Sequence, residues 1–396
     1  MSLPFKTIDQ LPIAGKRVLL RVDFNVPLKE GTVADDSRIQ MALPTLRYAL
    51  EQRSRVILMS HLGRPKGKVT PELSLRPVAI RLSEILGRPV TLAPDCVGSE
   101  VENTVASLGE GEILLLENLR FHKGETKNDP AFAEALASLG DVYISDAFGA
   151  VHRAHASVVG VPRLMDIKGG GFLLKKEVEA LTRVLKAQTE KFVLILGGAK
   201  VSDKLGILLS LMGKAHTILI GGAMAYTFLK VQGIEVGSSL VETDSFQDAK
   251  SILKKAETTH TSFLLPSDHV IATDIGETAS FQTTEGAAIP PDFKGVDIGP
   301  QTIKAFEEQL RDATMIFWNG PMGVFEIPSF AKGTFEVAKA VAASPGESYV
   351  GGGDSIRAIH ESGVADQITH ISSGGGASLE FLEGKTLPGI EALATQ

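Results

Sequence analysis

The sequence is poor in features that would indicate an exported or membrane protein. Its 396 residues include one cysteine, Cys96, so no intramolecular disulfide can form and nothing suggests an oxidising compartment. No stretch approaches about 18 uninterrupted apolar residues, and the first residues lack the charged start and apolar core of a secretory signal. We therefore expect no membrane span and a cytoplasmic location.

The sequence also lacks an excess of positive charge. The formal net charge is −7, which argues against general nucleic-acid binding but allows a local cationic pocket. Three nucleotide-binding signatures are missing as well: the P-loop GxxxxGK[ST], the HRD and DFG set, and a GxGxxG on the first strand of the second half. A nucleotide would therefore have to be bound by another scheme.

The size and composition of the chain are those of a globular protein with two domains. A chain of 396 residues is too long for one ordinary core. Hydrophobic residues make up 43% and charged residues 22%, so the chain is not disordered. The 40 glycines cluster in short runs beside apolar segments, which is typical of tight turns between strands and helices.

Short apolar runs alternate with helical patterns along both halves, as in parallel sheets with crossover helices. Helical spacing is predicted at Arg38–Gln52, Leu75–Leu86 and Pro130–Leu139. The predicted strands are Arg17–Phe24, Arg55–Ser60, Pro89–Ala93, Glu112–Glu117 and Asp141–Ser145, then Phe192–Leu196, Thr217–Ile220, His269–Thr273, Met315–Trp318, Ser348–Val350 and Ile368–Ile371. The fold class is therefore α/β, with two open parallel sheets whose ligands are expected at the carboxyl ends of the strands.

The boundary between the two halves is expected near Lys168–Phe172, where three glycines occur in a row. The segment that follows, Leu173–Gln188, has the pattern of a charged amphipathic helix. This helix would join the two domains.

In the first half, arginines follow the ends of predicted strands. They are Arg38, Arg64, Arg120 and Arg153. Each alone would be an ordinary surface cation, but strand ends of a parallel sheet lie on one edge, and guanidinium groups bind carboxylate or phosphate in a two-pronged geometry. Their joint pattern predicts a site for a small polyanion. Asp23 and Asn25, after the first strand, would either bind a substrate hydroxyl or cap the turn.

Histidines accompany these arginines. His152 and His155 have helical spacing, but no further Cys, Asp or Glu follows at ligand spacing, and Arg153 between them would repel a cation. A metal site there is disfavoured. His61 is interpreted as a hydrogen-bonded turn residue that could also bind the anion.

In the second half, an apolar strand runs four times into glycines and then a helix, at residues 194–205, 219–229, 349–359 and 370–382. Helix N-terminal amides beside glycines are ready anion sites. Lys200 and Lys204 lie four residues apart at a predicted helix start and would face the same way, a position more understandable if phosphate oxygens bind there. Asp354 would either cap its helix or hold Mg²⁺ beside phosphates.

Taken together, the motifs resemble those of the phosphoglycerate kinase family, in order, from about Val18 to Leu387. They are RVDFNVP, the helix start at Arg38, SHLGRP, LENLRF, SDAFGAVHRAHAS, GGAKVSDKL, GGAMAYTFL, WNGPMGVFE, GGGDS and SSGGGASLEFLEG. Departures are slight: Ser355 and Ser373 stand where threonine is common, and IPSF at 327–330 replaces a more aromatic stretch. Neither puts the implied activity in doubt.

The resemblance implies two Rossmann-like three-layer αβα domains joined by an interdomain helix. An acid-binding domain would comprise residues 1–171 with 380–396, because the family packs its last residues on the first domain. The helix would be 172–189, and the nucleotide-binding domain 190–379. The implied activity is phosphoryl transfer between 1,3-bisphosphoglycerate and ADP, giving 3-phosphoglycerate and ATP with Mg²⁺. The implied protein is a monomer with no nucleic-acid or membrane partner.

The resemblance also assigns site residues by motif. The acid would be held by Asp23, Phe24, Asn25, Arg38, His61, Leu62, Gly63, Arg64, Arg120 and Arg153. The nucleotide would be held by Lys204, Gly221, Gly222, Gly295, Pro321, Val324, Glu326, Gly352, Gly353, Asp354 and Ser355, with Asp354 on the metal, Glu326 on the ribose, and Gly221, Gly222, Pro321 and Val324 around adenine. Arg38, Lys200 and Lys204 would stabilise the transferred phosphoryl group.

Two rival interpretations remain at this level. A non-catalytic two-lobed binding protein would explain the arginines, but not Lys200, Lys204 and Asp354. An NAD-dependent dehydrogenase is disfavoured by the missing GxGxxG.

Overall fold

A computed structural model describes residues 3–188 and 191–394 of the chain. These residues form two compact units. The first extends to Glu179 and also contains the residues from Thr386 onward, and the second is Ala180–Lys385. The boundary predicted at residues 189–190, and residues 1–2 and 395–396 of the first predicted domain, lie outside the described residues. The assignment of one ligand to each domain stays a prediction.

The first unit contains a six-stranded parallel sheet in the order β5-β6-β4-β1-β7-β8, and a small hairpin of β2 and β3. Its strands are β1 (Arg17–Val22), β2 (Leu28–Lys29), β3 (Thr32–Val33), β4 (Arg55–Met59), β5 (Thr91–Leu92), β6 (Ile113–Leu115), β7 (Val142–Asp146) and β8 (Lys168–Gly170). Its helices are α1 (Ser37–Glu51), α2 (Arg76–Leu86), α3 (Ser99–Ser107), α4 (Lys123–Lys127), α5 (Pro130–Ala137), α6 (Val161–Leu164) and the first part of α7 (Phe172–Leu185).

The second unit contains a six-stranded parallel sheet and a separate three-stranded sheet. Its strands are β9 (Phe192–Leu196), β10 (Thr217–Ile220), β11 (Ser262–Leu264), β12 (His269–Ala272), β13 (Phe281–Thr283), β14 (Lys294–Ile298), β15 (Met315–Asn319), β16 (Glu347–Val350) and β17 (His370–Ile371). Its helices are α8 (Leu205–Leu211), α9 (Met224–Val231), α10 (Phe246–Thr258), α11 (Pro300–Leu310), α12 (Lys332–Ala343), α13 (Gly353–Glu361) and α14 (Gly376–Leu382). A last helix, α15 (Pro388–Glu391), belongs to the first unit.

The second parallel sheet has the strand order β11-β10-β9-β15-β16-β17. When only these six strands are counted along the chain, the order is 3-2-1-4-5-6, which is that of dinucleotide-binding domains. The strand order reverses between β9 and β15, so the carboxyl ends of these two strands are where a ligand is expected. The predicted α/β class with two Rossmann-like parallel sheets is confirmed.

One expectation about the strands needs correction. The run predicted at His269–Thr273 is a strand, but β12 pairs antiparallel with β13 and β14 and not with the parallel sheet. The segment Lys168–Gly170, near which the domain boundary was expected, forms β8, which pairs with β7 at the edge of the first sheet. Apolar runs predict strands well, but they carry no information about the neighbouring strand.

Each unit has its own hydrophobic core, formed where buried strands meet amphipathic helices. In the first unit, Leu20 and Leu58 of the sheet pack with Leu46 of α1 and Leu82 of α2, all almost fully buried. In the second unit, the corresponding core consists of Ile195, Trp318, Phe306, Leu310 and Val337. Burial of each such side chain contributes about 1.5–3 kcal/mol, so the strand ends are held on rigid frames. Within the described residues, no helix is both long and apolar enough to cross a bilayer.

Candidate functional site

Three of the predicted arginines in the first unit line one pocket of about 670 Å³. Arg64 follows β4, Arg120 follows β6, and Arg153 follows β7, so the parallel sheet brings them to one edge. The pocket is also lined by His155, and by five residues that were not predicted from the sequence: Lys66, Gly67, Lys123, Thr126 and Lys127. A pocket with so many cations suits a ligand with several negative charges.

Arg38 does not line this pocket; it forms an ion pair with Asp23 through Nη1 and Oδ2. The other Asp23 oxygen accepts a hydrogen bond from the backbone N–H of Asn25 (3.2 Å). Burial opposes ionisation of Asp23, but the nearby guanidinium groups of Arg38 and Arg21 hold its pKa below the ordinary value. Asp23 therefore closes its own turn and also orients Arg38.

Asn25 and Gly63 link the ends of β1 and β4. The Asn25 side-chain oxygen accepts a hydrogen bond from the Gly63 N–H (2.8 Å), while the Gly63 carbonyl accepts one from Arg120 Nη1 (2.7 Å). Phe24 and Leu62 are buried, so any ligand contact from these two residues would come from their backbone. This arrangement fixes Arg120 and Asn25 relative to the same glycine.

Arg120 carries its charge in a buried position. Burial, followed by repulsion from Arg153 and Arg21, lowers its pKa to about 10, so it stays protonated at neutral pH. Asn118 holds its backbone by accepting a hydrogen bond from the Arg120 N–H (3.1 Å). A bound anion would relieve the repulsion among these guanidinium groups.

His61 is held in one tautomer by a buried arginine. Arg21, only 1% exposed, has no acceptor atom, so its Nη2 donates to His61 Nδ1 (3.1 Å) and the imidazole proton must be on Nε2. Burial lowers the pKa of His61 well below its ordinary value. The negative charge of Asp23 would raise this pKa, but the nearby guanidinium groups lower it further. His61 is thus neutral, with an N–H donor at Nε2.

A chain of buried polar groups lies behind this histidine and was not foreseen from the sequence. Arg21 Nε donates to Ser157 Oγ (2.9 Å), and the Ser157 hydroxyl and N–H both donate to the fully buried Glu125 carboxylate (2.7 and 2.9 Å). Glu125 also lies 3.7 Å from His155 Nδ1. Burial and the surrounding cations lower the pKa of His155 to about 4. The neighbouring His152 accepts a hydrogen bond at Nε2 from Arg153 Nε (3.1 Å).

In the second unit, Lys204 lies at the edge predicted for the nucleotide. Its Nζ donates to the side-chain oxygen of Asn319, the last residue of β15, and the Asn319 amide nitrogen donates to the Gly351 carbonyl (2.6 Å). Burial lowers the pKa of Lys204, against the attraction of Asp203 and Asp354. Asn319 thus ties the lysine to the glycine turn after β16, a role that its place in the WNGPMGVFE motif did not predict.

The predicted placement of Lys200 and Lys204 on one face of a helix needs correction. Lys200 is exposed in the loop after β9, while Lys204 ends a short 3₁₀-helix, Ser202–Lys204, and precedes α8. The glycines at 197–198 delay the start of α8, so the two lysines are not separated by one α-helical turn. Both still follow the carboxyl end of β9.

The turn at Gly352–Ser355 bears on whether Asp354 caps its helix or is available to hold Mg²⁺. The helix cap is Gly352, with φ of +91°, and α13 has no side-chain cap bond, so Asp354 does not cap it. Asp354 is exposed beside the helix start, and Gly353 has open space where a side chain would project. Ser355 is buried, and its hydroxyl accepts a hydrogen bond from the Gly320 N–H (2.6 Å).

The glycines predicted around adenine are packed tightly against the chain. A Cβ on Gly222, whose φ is +64°, would lie 2.5 Å from the Gly198 nitrogen, and one on Gly221 would overlap the Met322 sulfur. The Gly198 N–H donates to the Pro321 carbonyl (3.1 Å). These glycines therefore serve close packing of the turns after β9, β10 and β15.

Gly295 and Val324 lie on adjacent segments, because the Val324 N–H donates to the carbonyl of Val296 (2.8 Å). A Cβ at Gly295 would overlap the Tyr226 hydroxyl. Glu326 is exposed and pairs with Arg357 Nη2 (3.3 Å). Apart from Glu326, the predicted nucleotide residues thus form two groups, one around Lys204 and Gly352–Ser355 and one around Gly221, Gly222, Pro321, Val324 and Gly295.

Residues 8–385 match the sequence profile described as phosphoglycerate kinase. The phosphoglycerate kinase of Anaeromyxobacter sp. (strain K) is 53% identical over 393 residues, covering 98% of this chain and 99% of that protein. The one from Moorella thermoacetica is 54% identical over 387 residues, covering 98% of each chain. Among solved structures, phosphoglycerate kinase from Coxiella burnetii matches with a TM-score of 0.90 and 40% identity over 99% of this chain and 100% of that one. The enzyme from Pyrococcus horikoshii OT3 matches with a TM-score of 0.85 and 34% identity over 98% of each chain.

Proposed function

Because the chain belongs to the phosphoglycerate kinase family, we propose that it transfers a phosphoryl group reversibly from 1,3-bisphosphoglycerate to MgADP, giving 3-phosphoglycerate and ATP. This is the ATP-forming step of glycolysis, with a carboxyl group as phosphoryl acceptor in the reverse direction. The proposal includes a cytoplasmic monomer that acts on small molecules and needs no nucleic-acid or membrane partner.

The observation that carries this proposal is the pocket of about 670 Å³ lined by Arg64, Arg120 and Arg153. 3-Phosphoglycerate carries a phosphate and a free carboxyl group, and in 1,3-bisphosphoglycerate that carboxyl group is phosphorylated. A guanidinium group can bind two oxygens of a phosphate or a carboxylate at once. The Asp23 carboxylate would accept a hydrogen bond from the substrate hydroxyl, and the Asn25 amide and the Nε2–H of His61 would donate to hydroxyl or phosphate oxygens. Arg38, held by its ion pair with Asp23, would face the transferred phosphoryl group.

The nucleotide would bind at the carboxyl edge of the second sheet. Lys204 and the amides at Gly352–Ser355 would hold the phosphates, and Glu326 would accept hydrogen bonds from the ribose after leaving Arg357. Gly221, Gly222, Pro321 and Val324 would border adenine, and Gly295 would also contribute to the nucleotide site. A Cβ added at Gly221, Gly222 or Gly295 would collide with protein atoms. These glycines would therefore help nucleotide binding by allowing the backbone to pack closely, and not by leaving space for the base.

The side chain available to bind Mg²⁺ is Asp354, whose carboxylate is a ligand type that this ion prefers. Asp354 offers exposed carboxylate oxygens next to an open glycine turn, and Mg²⁺ prefers oxygen ligands shared with phosphates. When bound, the ion would neutralise charge on the nucleotide phosphates. Lys204 would remain the main protein cation on that side.

The reaction requires no general base. In the ATP-forming direction, an oxygen of the terminal ADP phosphate attacks the acyl phosphorus, and the bond from that phosphorus to the carboxyl oxygen breaks. The attacking phosphate and the departing carboxylate are both ionised at neutral pH, so no proton has to be removed. His61 and His155, neutral because burial lowers their pKa, fit roles as hydrogen-bonding groups.

Catalysis would then depend on position and charge. Arg38 in the first unit, and Lys200 and Lys204 in the second, would neutralise charge that develops on the moving phosphoryl group. Since these cations belong to different units, we propose that the units close around the two substrates during the cycle. Closure would also exclude water, which would otherwise accept the phosphoryl group.

The direct test is ATP formation from 1,3-bisphosphoglycerate and ADP by the purified protein, with and without Mg²⁺. The proposal requires ADP-dependent turnover that needs the metal. Binding of both substrates without turnover would instead indicate a non-catalytic binding protein. Hydrolysis of 1,3-bisphosphoglycerate at the same rate without ADP would refute the proposed transfer.

A further inference from the structure

Three side chains of different metal-ligand types meet outside the cationic pocket of the first unit. Within residues 3–188 and 191–394, Asp95, Cys96 and His122 are the one group of at least three His, Cys, Asp or Glu residues whose ligand atoms all lie within 4.8 Å of one another. None of the three lines the pocket of about 670 Å³. The proposed phosphoryl transfer gives them no role.

The sheet brings these residues together from separate parts of the chain. Asp95 and Cys96 are in the loop after β5, and His122 follows the turn after β6, its neighbour in the parallel sheet. The His122 ring is stacked on Phe132, with ring centroids 4.9 Å apart and planes at 22°. This stacking holds Nε2 towards the loop that carries the other two residues.

The donor atoms already lie close to a common point. His122 Nε2 is 2.6 Å from Asp95 Oδ1, and the same oxygen accepts a hydrogen bond from the Cys96 N–H (2.6 Å). Cys96 Sγ donates to the Glu117 carbonyl at 2.9 Å. The Cys96 residue is fully buried, whereas the side chains of His122 and Asp95 are 30% and 49% exposed. The cluster therefore has an anchored sulfur on its inner side and an opening to solvent on its outer side.

We propose that Asp95, Cys96 and His122 bind one zinc ion, with water as the fourth ligand. A set of one sulfur, one nitrogen and one oxygen suits a borderline cation that takes four ligands, whereas Mg²⁺ requires oxygen ligands in an octahedron. On binding, the thiol releases its proton to solvent and gives up its bond to the Glu117 carbonyl. His122 gives up its hydrogen bond to Asp95 and coordinates through the Nε2 lone pair, with its ring proton moved to Nδ1, while the Asp95 carboxylate turns its oxygen to the ion.

Zinc bound here would fasten the loop after β5 to the turn after β6. That turn, Leu119–Phe121, contains Arg120, two residues before His122. Binding would stabilise the folded protein by mass action and raise the unfolding temperature as the zinc concentration increases. The site would be distinct from the magnesium position proposed at Asp354, which is in the other unit.

Cobalt(II) offers a direct spectroscopic test, because Cys96 is the only cysteine. The reduced, nucleotide-free protein is titrated with Co²⁺ and followed for thiolate-to-cobalt charge-transfer absorption, and Zn²⁺ is then added as competitor. We expect the band to saturate at one equivalent and to disappear when zinc is added. A protein whose thiol is fully reduced but that develops no such band would overturn the proposal.

The roles of His122 and Asp95 as ligands are tested by the Zn²⁺ affinity of variants. His122→Gln and Asp95→Asn change partly exposed side chains, and each should weaken Zn²⁺ affinity by about tenfold or more, while Cys96→Ser should abolish the band. The matched control is His216→Gln, an exposed histidine of the second unit, which should bind Zn²⁺ like the unmodified chain. Equal zinc affinity in the His122→Gln variant and in the unmodified chain would show that the metal binds elsewhere and that His122 and Asp95 form only an ion pair.

Discussion

The Glu125 carboxylate, with no exposed surface, accepts two hydrogen bonds from Ser157, one from its hydroxyl and one from its N–H. Through Ser157 it is connected to Arg21, and Arg21 in turn holds His61. Glu125 is thus the buried negative charge behind a group of guanidinium ions. It compensates part of their repulsion before any ligand is bound.

We predict that Glu125→Gln lowers the stability of the first unit. An amide can still accept one hydrogen bond, but its NH₂ group faces a donor of Ser157, so one buried pair is lost. The expected cost is about 1–3 kcal/mol, measured as a lower midpoint of urea unfolding followed by circular dichroism. Glu134→Gln, on the exposed side of α5, is the control and should change stability by less than about 0.5 kcal/mol. Equal midpoints for both variants would contradict the role given to Glu125.

We predict that Arg38→Ala lowers kcat far more than it weakens substrate binding. If Arg38 neutralises charge on the moving phosphoryl group, its loss should reduce kcat by about 10²–10³-fold, with a much smaller change in KM. Initial-rate kinetics in both directions provide the measurement. Arg47→Ala, an exposed arginine of the same helix α1, should leave kcat unchanged. Near-normal kcat in Arg38→Ala would remove this residue from the catalytic set.

The strand ends carrying the arginines could be predicted from the sequence, because apolar runs and parallel topology determine which residues share an edge. Arg64, Arg120 and Arg153 line one pocket for this reason. The supporting side chains could not be predicted. Glu125 and Ser157 are 32 residues apart, and Asn319 and Lys204 are 115 apart, so no local pattern relates them.

The glycines show a second limit of sequence reasoning. A glycine beside a strand end signals close approach, but the approaching group can be a ligand or the protein itself. At Gly222 it is the backbone of Gly198, whereas a Cβ added at Gly353 would meet nothing within 4 Å beyond its own helix turn. Only the packing of the chain distinguishes these two cases.

We predict that Lys204→Ala weakens nucleotide binding while sparing the acid. Loss of one charged hydrogen bond to a phosphate should raise the KM for ADP by roughly 10–100-fold. The KM for 1,3-bisphosphoglycerate should stay within about twofold, since its proposed site is in the first unit. Lys250→Ala, exposed on α10, is the matched control for removing a lysine from the second unit. A parallel rise in both KM values would argue against separate acid and nucleotide sites.

We predict that Asp354→Asn increases the concentration of Mg²⁺ needed for activity. The amide has no negative charge and is a weaker ligand, so the half-saturating Mg²⁺ concentration should rise by about tenfold, with activity partly restored at high Mg²⁺. Titration of the rate with Mg²⁺ at fixed ADP gives this value. Asp366→Asn, another exposed carboxylate of the second unit, should show the original requirement. If both variants have the same requirement, Asp354 does not hold the metal.

The final prediction concerns Asp146, at the end of β7, whose Oδ1 accepts a hydrogen bond from the N–H of Leu174 in the first turn of α7 (3.1 Å). Burial raises the pKa of Asp146 to about 7 from its ordinary value of 3.8. Between these two values the folded protein keeps a proton that the unfolded chain has released. Stability therefore falls as pH rises from about 4 to about 7, and this contribution becomes constant above pH 7.

Asp146→Asn should remove that contribution, because an amide does not titrate but can still accept the hydrogen bond from Leu174. Relative to the unmodified chain, the variant should become more stable as pH rises, by about 1.4 kcal/mol per pH unit between pH 5 and 7. Urea unfolding at several pH values measures this difference, and buried Asp297, whose pKa is also raised to about 7, contributes equally to both proteins. The exposed Asp166→Asn control should show no such trend. Parallel pH profiles for Asp146→Asn and the unmodified chain would mean that Asp146 is already ionised in the folded protein.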